Sequence, residues 1–208
     1  MIIVKIVASV MSLDTLDDAV ASGPDLIEIR LDAAAGAIPG KAARLPVPVV
    51  ATLRSREEGG AFTGDSADWY AITEPWAGVA AFIDIEERFS RYAPAIRERG
   101  SAVIASVHLP RMPDNEELAA RTRRLREYGD IPKIVVTPSS RKDVLALLRF
   151  TLEEEKPICT GVLGETYRHA RVFLPLYGSE LVYCHTGVPA APGQYPVRRM
   201  KELLGALE

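Results

Sequence analysis

Eight short apolar runs recur along the chain with helical or irregular stretches between them, and that alternation most narrows what it can fold into. The runs span residues 2–9, 26–31, 47–54, 80–86, 102–108, 131–137, 157–160 and 181–184. They read as strands buried on both faces, as parallel strands covered by helices must be. Eight such strands with alternating helices predict an α/β fold, a compact single-domain TIM (β/α)8 barrel over residues 1–208. The competing architecture is an open doubly wound sheet. It is disfavoured because Ser9-Val10-Met11-Ser12-Leu13, not Gly-x-Gly-x-x-Gly, follows the first strand. No break in composition marks a second domain.

Capping residues locate the helices. Ser12 or Asp14 starts a helix that runs to Ala21, where Gly23-Pro24 stops it. Asp114 opens a strongly charged helix that ends at Tyr128-Gly129, and Ser139-Ser140 opens another that ends near Glu155. Residues 168–177 and 197–207 supply the last two. Only a short helix fits between residues 31 and 47, and a long glycine-containing loop precedes the helix between 54 and 80. Residues 187–196 are rich in Pro, Ala and Gly without periodicity, and read as a lid.

The balance of residues excludes several partners. A 208-residue chain with 48% hydrophobic content can bury one sizeable core. A formal net charge of -3 argues against nucleic acid or an acidic membrane surface. The apolar runs are strand-sized and too short for a membrane span. The apolar start lacks a basic leader, so a cytoplasmic location is expected. Cys159 and Cys184 are expected as buried thiols. No residue set has metal-site spacing and no phosphate-binding loop is present, so neither metal nor cofactor is expected.

The polar residues on the apolar strands carry the chemistry. Lys133 stands alone in Asp130-Ile131-Pro132-Lys133-Ile134-Val135-Val136. Unless an ammonium buried there is paired, lost hydration favours the neutral, nucleophilic amine. His108 ends the preceding strand, within reach for proton transfer. Glu28, Arg30 and Asp32 share a face of strand two, either as a structural ion cluster or as substrate contacts. Arg54 ends strand three, and Glu57-Glu58-Gly59-Gly60 reads as a flexible turn that folds a carboxylate back over the site. The bland alternatives are a lysine that snorkels outward and a histidine satisfied at a strand end. His169 and His185 are weaker candidates. Lysine beside histidine supports imine chemistry leading to β-elimination of water or to aldol cleavage. Several arginines at one mouth point to a small anionic substrate, held as a carboxylate.

The ordered set resembles type I 3-dehydroquinate dehydratase. The resemblance rests on Glu28-Ile29-Arg30-Leu31-Asp32, Arg54 through Gly60, Asp84-Ile85-Glu86, Ser106-Val107-His108, Asp130 through Lys133, Gly164 through Arg171, Tyr177-Gly178-Ser179 and Ala191-Pro192-Gly193-Gln194. It implies that Lys133 forms an imine with the ketone of 3-dehydroquinate, that His108 moves the proton, and that Glu58 is its acidic partner. Glu28, Arg30 and Arg54 match positions that bind ring hydroxyls and the carboxylate, while Arg171 and Gln194 match a carboxylate clamp at the lid. It also implies a barrel, a homodimer and a place in the shikimate route. Three positions depart from the family pattern: Leu109 after the histidine, Ala170 before Arg171, and Ala190 before the lid motif, the last two where serines are usual. The alternatives carried beside this reading are a Schiff-base aldolase of the same barrel class and a non-catalytic small-molecule binding barrel.

Overall fold

The computed structural model describes residues 4–207. Eight parallel strands, β1 Lys5–Val10, β2 Leu26–Arg30, β3 Val49–Thr52, β4 Phe82–Glu86, β5 Ala102–Leu109, β6 Ile131–Val136, β7 Cys159–Val162 and β8 Leu181–His185, form one sheet in the order β7-β6-β5-β4-β3-β2-β1-β8. The sheet curls into a nearly closed TIM barrel. At the seam between β7 and β8 the Glu180 N–H donates to Ile158 O at 2.8 Å, and Ser179 Oγ accepts from the Thr160 N–H at 3.0 Å. The helices are α1 Leu16–Ala21, α2 Pro39–Ala42, α3 Ser66–Thr73, α4 Ala93–Glu98, α5 Asn115–Tyr128, α6 Arg141–Glu153, α7 Ala170–Leu176 and α8 Val197–Gly205.

Caps act where their residue types demand. Ser12 accepts from the Asp14 N–H at the entry to α1, Asp114 from the Glu117 N–H at α5, and Ser140 makes a capping box with Asp143 at α6. The strand bounds differ from those expected by one to three residues, and the shifts in three strands have a bearing on the site. β3 begins at Val49, because Pro48 has no N–H to give a ladder, and it stops at Thr52, leaving Arg54 two residues beyond the strand. β7 is shifted to Cys159–Val162, where its pairing with β6 begins at Lys133↔Cys159. In the first run Ile2 and Ile3 lie outside the described residues, and β1 extends to Val10. The six-residue α4 was not anticipated; Pro94 in its first turn hides its helical pattern.

Strand alternation builds two cores. Outward residues such as Ile27, Ala51, Ile83, Ile85, Ile134 and Val136 are buried under the helices with Trp69, Phe89, Leu118 and Leu147. Inward residues at the strands' N-terminal ends, Val7, Leu26, Val50, Ile104, Ile131, Cys159 and Leu181, close a separate apolar plug with Phe82 packed on it. Two residues further along, the inward positions turn polar: Ser9, Glu28, Thr52, Asp84, Ser106, Lys133 and Tyr183. The plug seals the bottom of the barrel, so the polar layer opens only toward the strands' C-terminal ends.

Candidate active site

Above the plug lies a cavity of about 940 Å³, its open mouth included, and it collects all eight residues expected to carry function. Glu28, Arg30, Arg54, Glu58, His108, Lys133, Arg171 and Gln194 line it together.

Lys133 is 3% exposed, which leaves it neither outward-facing nor free. Its Nζ donates to Asp84 Oδ2 at 2.8 Å and sits 4.1 Å from the centroid of the Tyr183 ring. The isolated ammonium envisaged from the sequence is therefore paired, because Asp84 occupies the same polar layer on β4. Burial works against the Asp84 charge, but the nearby Arg54 and Lys133 outweigh it and hold the carboxyl well below its usual range.

Arg54 is a hub. Its Nη1 donates to Glu58 at 3.3 Å, Glu86 at 3.0 Å and Ser106 Oγ at 3.0 Å, and its Nη2 to Asp84 at 2.7 Å. Ser106 Oγ donates to Asp84 Oδ1 at 2.6 Å, closing the network. Fully buried opposite charges survive only with such dense pairing, although Glu86 Oε2 is left without a partner among the described residues.

The loop after β3 is a fixed turn, not the flexible one expected. A 3-10 turn at Arg56–Glu58 ends on Gly59 at φ 85°, and a Cβ on Gly60 would fall 2.1 Å from Arg54 O. Asp32 pins it by accepting from the N–H groups of Arg54 and Ala61 while Arg30 forks onto both Asp32 oxygens at 2.9 and 2.7 Å. Burial pushes the Asp32 carboxyl up, but these hydrogen bonds and the Arg30 charge leave it below its ordinary value. The expected three-residue cluster thus divides. Arg30 belongs to Asp32, whereas Glu28 is held by the hydroxyls of Ser9 at 2.5 Å and Thr52 at 2.8 Å.

The fixed turn brings Glu58 to His108. Glu58 Oε2 accepts from the His108 backbone N–H at 3.0 Å and lies 2.9 Å from Nδ1. Burial pushes the Glu58 carboxyl up to about 8, Glu86 and Asp84 add to the rise, and Arg54 opposes it. Burial also pulls the imidazole well below its ordinary value, helped by the positive charges of Arg54 and Lys133. The two groups are in contact and titrate as a coupled pair. With the ring neutral and its proton on Nδ1, where Oε2 accepts it, Nε2 is a bare base at the cavity wall.

The opposite rim is cationic. Arg171 is 6% exposed, with its Nε unpartnered and Nη2 only 3.5 Å from Pro192 O. No carboxylate pairs it among the described residues. Burial lowers its guanidinium to about 10, a cost that a bound anion would offset. Arg168 is different: it pairs with Glu165 and stacks on Tyr195 at 4.2 Å. The lid loop is seated across the mouth. Gly193 N–H donates to Glu165 Oε1 at 2.7 Å, Gly164 N–H to Pro192 O at 3.3 Å, and Gln194 Oε1 accepts from the Ala190 N–H at 2.7 Å. His169 is exposed, and His185 accepts from the Gly187 N–H through Nδ1, which ties it to the loop base. Cys159 and Cys184 are both buried free thiols.

The sequence assigned no role to Thr52, Ser9 or Tyr183, nor to Asp84 and Ser106, which stood only within the resembling blocks. The available signal was the period of two. Each stands two residues from a residue already singled out, or from a plug residue, on the same strand.

A parallel eight-stranded barrel with a buried lysine, a histidine–glutamate pair and an unpaired arginine around one mouth defines a TIM-barrel protein with a site for an anionic carbonyl compound. The family model "Type I 3-dehydroquinase" matches residues 2–208, and the chain belongs to that family. It is 42% identical over 207 residues to the 3-dehydroquinate dehydratase of Methanoregula boonei, covering 98% of this chain and 99% of that one. It is 40% identical over 205 residues to that of Methanospirillum hungatei, covering 97% and 80%. The crystal structure of 3-dehydroquinate dehydratase from Geobacillus kaustophilus superposes with a TM-score of 0.86 at 26% identity, over 98% of this chain and 90% of that one.

Proposed function

We propose that this chain is a hydro-lyase that dehydrates 3-dehydroquinate to 3-dehydroshikimate in the shikimate pathway, through an imine on Lys133. The observation that carries the reading is the convergence of Lys133, the Glu58–His108 pair and the unpaired Arg171 on one cavity. The curated relatives, at up to 42% identity over nearly the whole chain, bear the same activity in their names.

The residues divide the work. Lys133 gives up its ammonium proton, its amine adds to the ketone carbon, and the former ketone oxygen leaves as water carrying that proton, giving an iminium. His108 Nε2 then takes a proton from the adjacent methylene, and the electron pair moves onto nitrogen as an enamine. Collapse of the enamine expels the tertiary hydroxyl, which leaves as water with the proton returned by His108. Hydrolysis of the conjugated iminium consumes one water and frees Lys133, so the net change is loss of one water. Glu58 orients the imidazole and shares its proton. Arg171 and Gln194 take the ring carboxylate, while Glu28, Arg30 and Arg54 face the ring hydroxyls. Arg54 has a prior task, since its terminal nitrogens already hold Glu58, Asp84 and Glu86.

The same reading includes a homodimer in the cytoplasm. The packed helices α6 and α7 expose Leu145, Leu152 and Phe173, with Tyr177 just past the end of α7, apolar side chains that a second copy would cover. Light scattering that returns a monomer mass would remove that part alone.

Borohydride added to enzyme and 3-dehydroquinate should fix a covalent adduct on Lys133, located by peptide mass mapping. Turnover, followed by the ultraviolet absorbance of the conjugated product, should persist in EDTA. An adduct on another residue, or activity lost to EDTA, would overturn the assignment.

A further inference from the structure

Tyr183 has no part in the chemistry described so far, yet its ring packs on the apolar plug and lines the cavity above it. It shares the polar layer with Lys133 and lines the same space. Its ring face lies 4.1 Å from Lys133 Nζ. Its hydroxyl is buried and has no hydrogen-bond partner among the described residues. A buried phenol normally finds a partner, because an unmade hydrogen bond costs its full desolvation. Phenylalanine would fill this place without that cost.

We propose that Tyr183 is a substrate-contacting residue: its ring face supports the positive imine nitrogen on Lys133, and its hydroxyl hydrogen-bonds the substrate hydroxyl on the carbon next to the ketone. This rests on the dehydratase reading and adds a specificity contact to it. The choice of partner follows from reach. The phenol oxygen lies one ring radius and one C–O bond from the centroid over which Nζ sits, so atoms next to the imine carbon fall within its reach. The ketone oxygen itself departs as water when the imine forms. One flank of the imine carbon is the methylene that loses its proton, and it bears no oxygen. The other flank bears a hydroxyl, which stays through the reaction. Burial, with the Glu28 and Asp84 carboxylates nearby, holds the phenol far above its ordinary range, so it remains a protonated donor throughout the working pH.

The ring and the hydroxyl separate by substitution. Tyr183→Phe keeps the ring and should lower kcat/KM for 3-dehydroquinate by roughly 3–10-fold, the net worth of one neutral hydrogen bond. With the analogue lacking that one hydroxyl, wild type and Tyr183→Phe should turn over alike, because neither then makes the contact. Tyr183→Leu removes the ring as well and should cut the borohydride-trapped fraction by a further 2–30-fold or so, the range of a cation–π contact. Equal losses for Tyr183→Phe on both substrates, or no loss on either, would overturn the proposal while leaving the dehydratase reading intact. Failure of the dehydratase reading itself is recognised separately, by a wild-type enzyme that neither traps an adduct nor turns over. Circular dichroism and thermal melting of the near-isosteric Tyr183→Phe keep a folding defect apart from a lost contact.

Discussion

Lys133 Nζ and Asp84 Oδ2 are 2.8 Å apart in the polar layer of the barrel, and the same carboxylate takes Arg54 Nη2 at 2.7 Å. One acid thus neutralises two buried cations. Its loss strips Lys133 of its carboxylate, while Arg54 keeps Glu58 and Glu86, and Asp84→Ala should cost about 3–5 kcal/mol of stability. Urea denaturation measures it. A loss under about 1 kcal/mol would mean that water reaches these groups and that the pair is not architectural.

His108→Ala should uncouple the steps of the reaction. Lys133 is untouched, so borohydride should still trap the substrate adduct, while turnover falls about 10²–10⁴-fold for want of a positioned proton carrier. Wild-type turnover would return His108 to a structural role at the end of β5.

The Glu58–His108 pair sets a pH window whose sign follows from the shifts. Glu58 in the folded chain titrates near 8, above its ordinary 4.5, so between those values folding retains a proton that the unfolded chain has released. Its contribution to stability is present below 4.5 and is lost as pH rises through 8. His108 is depressed below 6.5, so its contribution is present above 6.5 and falls away as pH drops toward the folded value. Glu58→Gln removes the alkaline term. Near pH 8.5 it should melt higher relative to wild type than it does at pH 5, each kcal/mol amounting to about 2–4 °C at this size. Melting curves at the two pH values decide it; a constant difference would show that Glu58 is ionised throughout. Activity should fall on the acid side only below 6.5, where the base becomes protonated.

Arg171→Ala should act on binding. A charge-assisted contact to a carboxylate contributes about 1.5–3 kcal/mol, so KM should rise roughly 10–150-fold with a smaller change in kcat. Arg168→Ala, which loses only its Glu165 pair and its stacking on Tyr195, is the control and should change KM by less than about 3-fold. Reversal of that order would move the carboxylate site to Arg168.

The barrel was legible because strands buried on both faces cannot alternate, and eight such runs between helices leave few architectures open. Lys133 and His108 stood out for a related reason: a lone polar group on an apolar strand is costly unless it snorkels outward or faces a partner. The partner itself was not legible. Asp84 lies 49 residues before Lys133 in the chain, and only the curl of the sheet from β4 through β6 brings its carboxylate onto Nζ. Glu58 is 50 residues from His108 and reaches it only because Asp32 and Gly60 fix the turn after β3.

Sequence alone determined the periodicity, the caps and which residue types had to be accounted for on each strand, since these depend on neighbours two to four positions away. The tertiary structure decided the pairings. It split Arg30 and Asp32 from Glu28, made Arg54 a hub of carboxylates, left Arg171 as an unpaired cation, and set the Tyr183 ring against Lys133. Those outcomes depend on distances across the lumen, fixed by strand register and barrel closure, and a charge or hydroxyl acquires its chemistry from whatever lies within a few ångströms, not from what adjoins it in the chain.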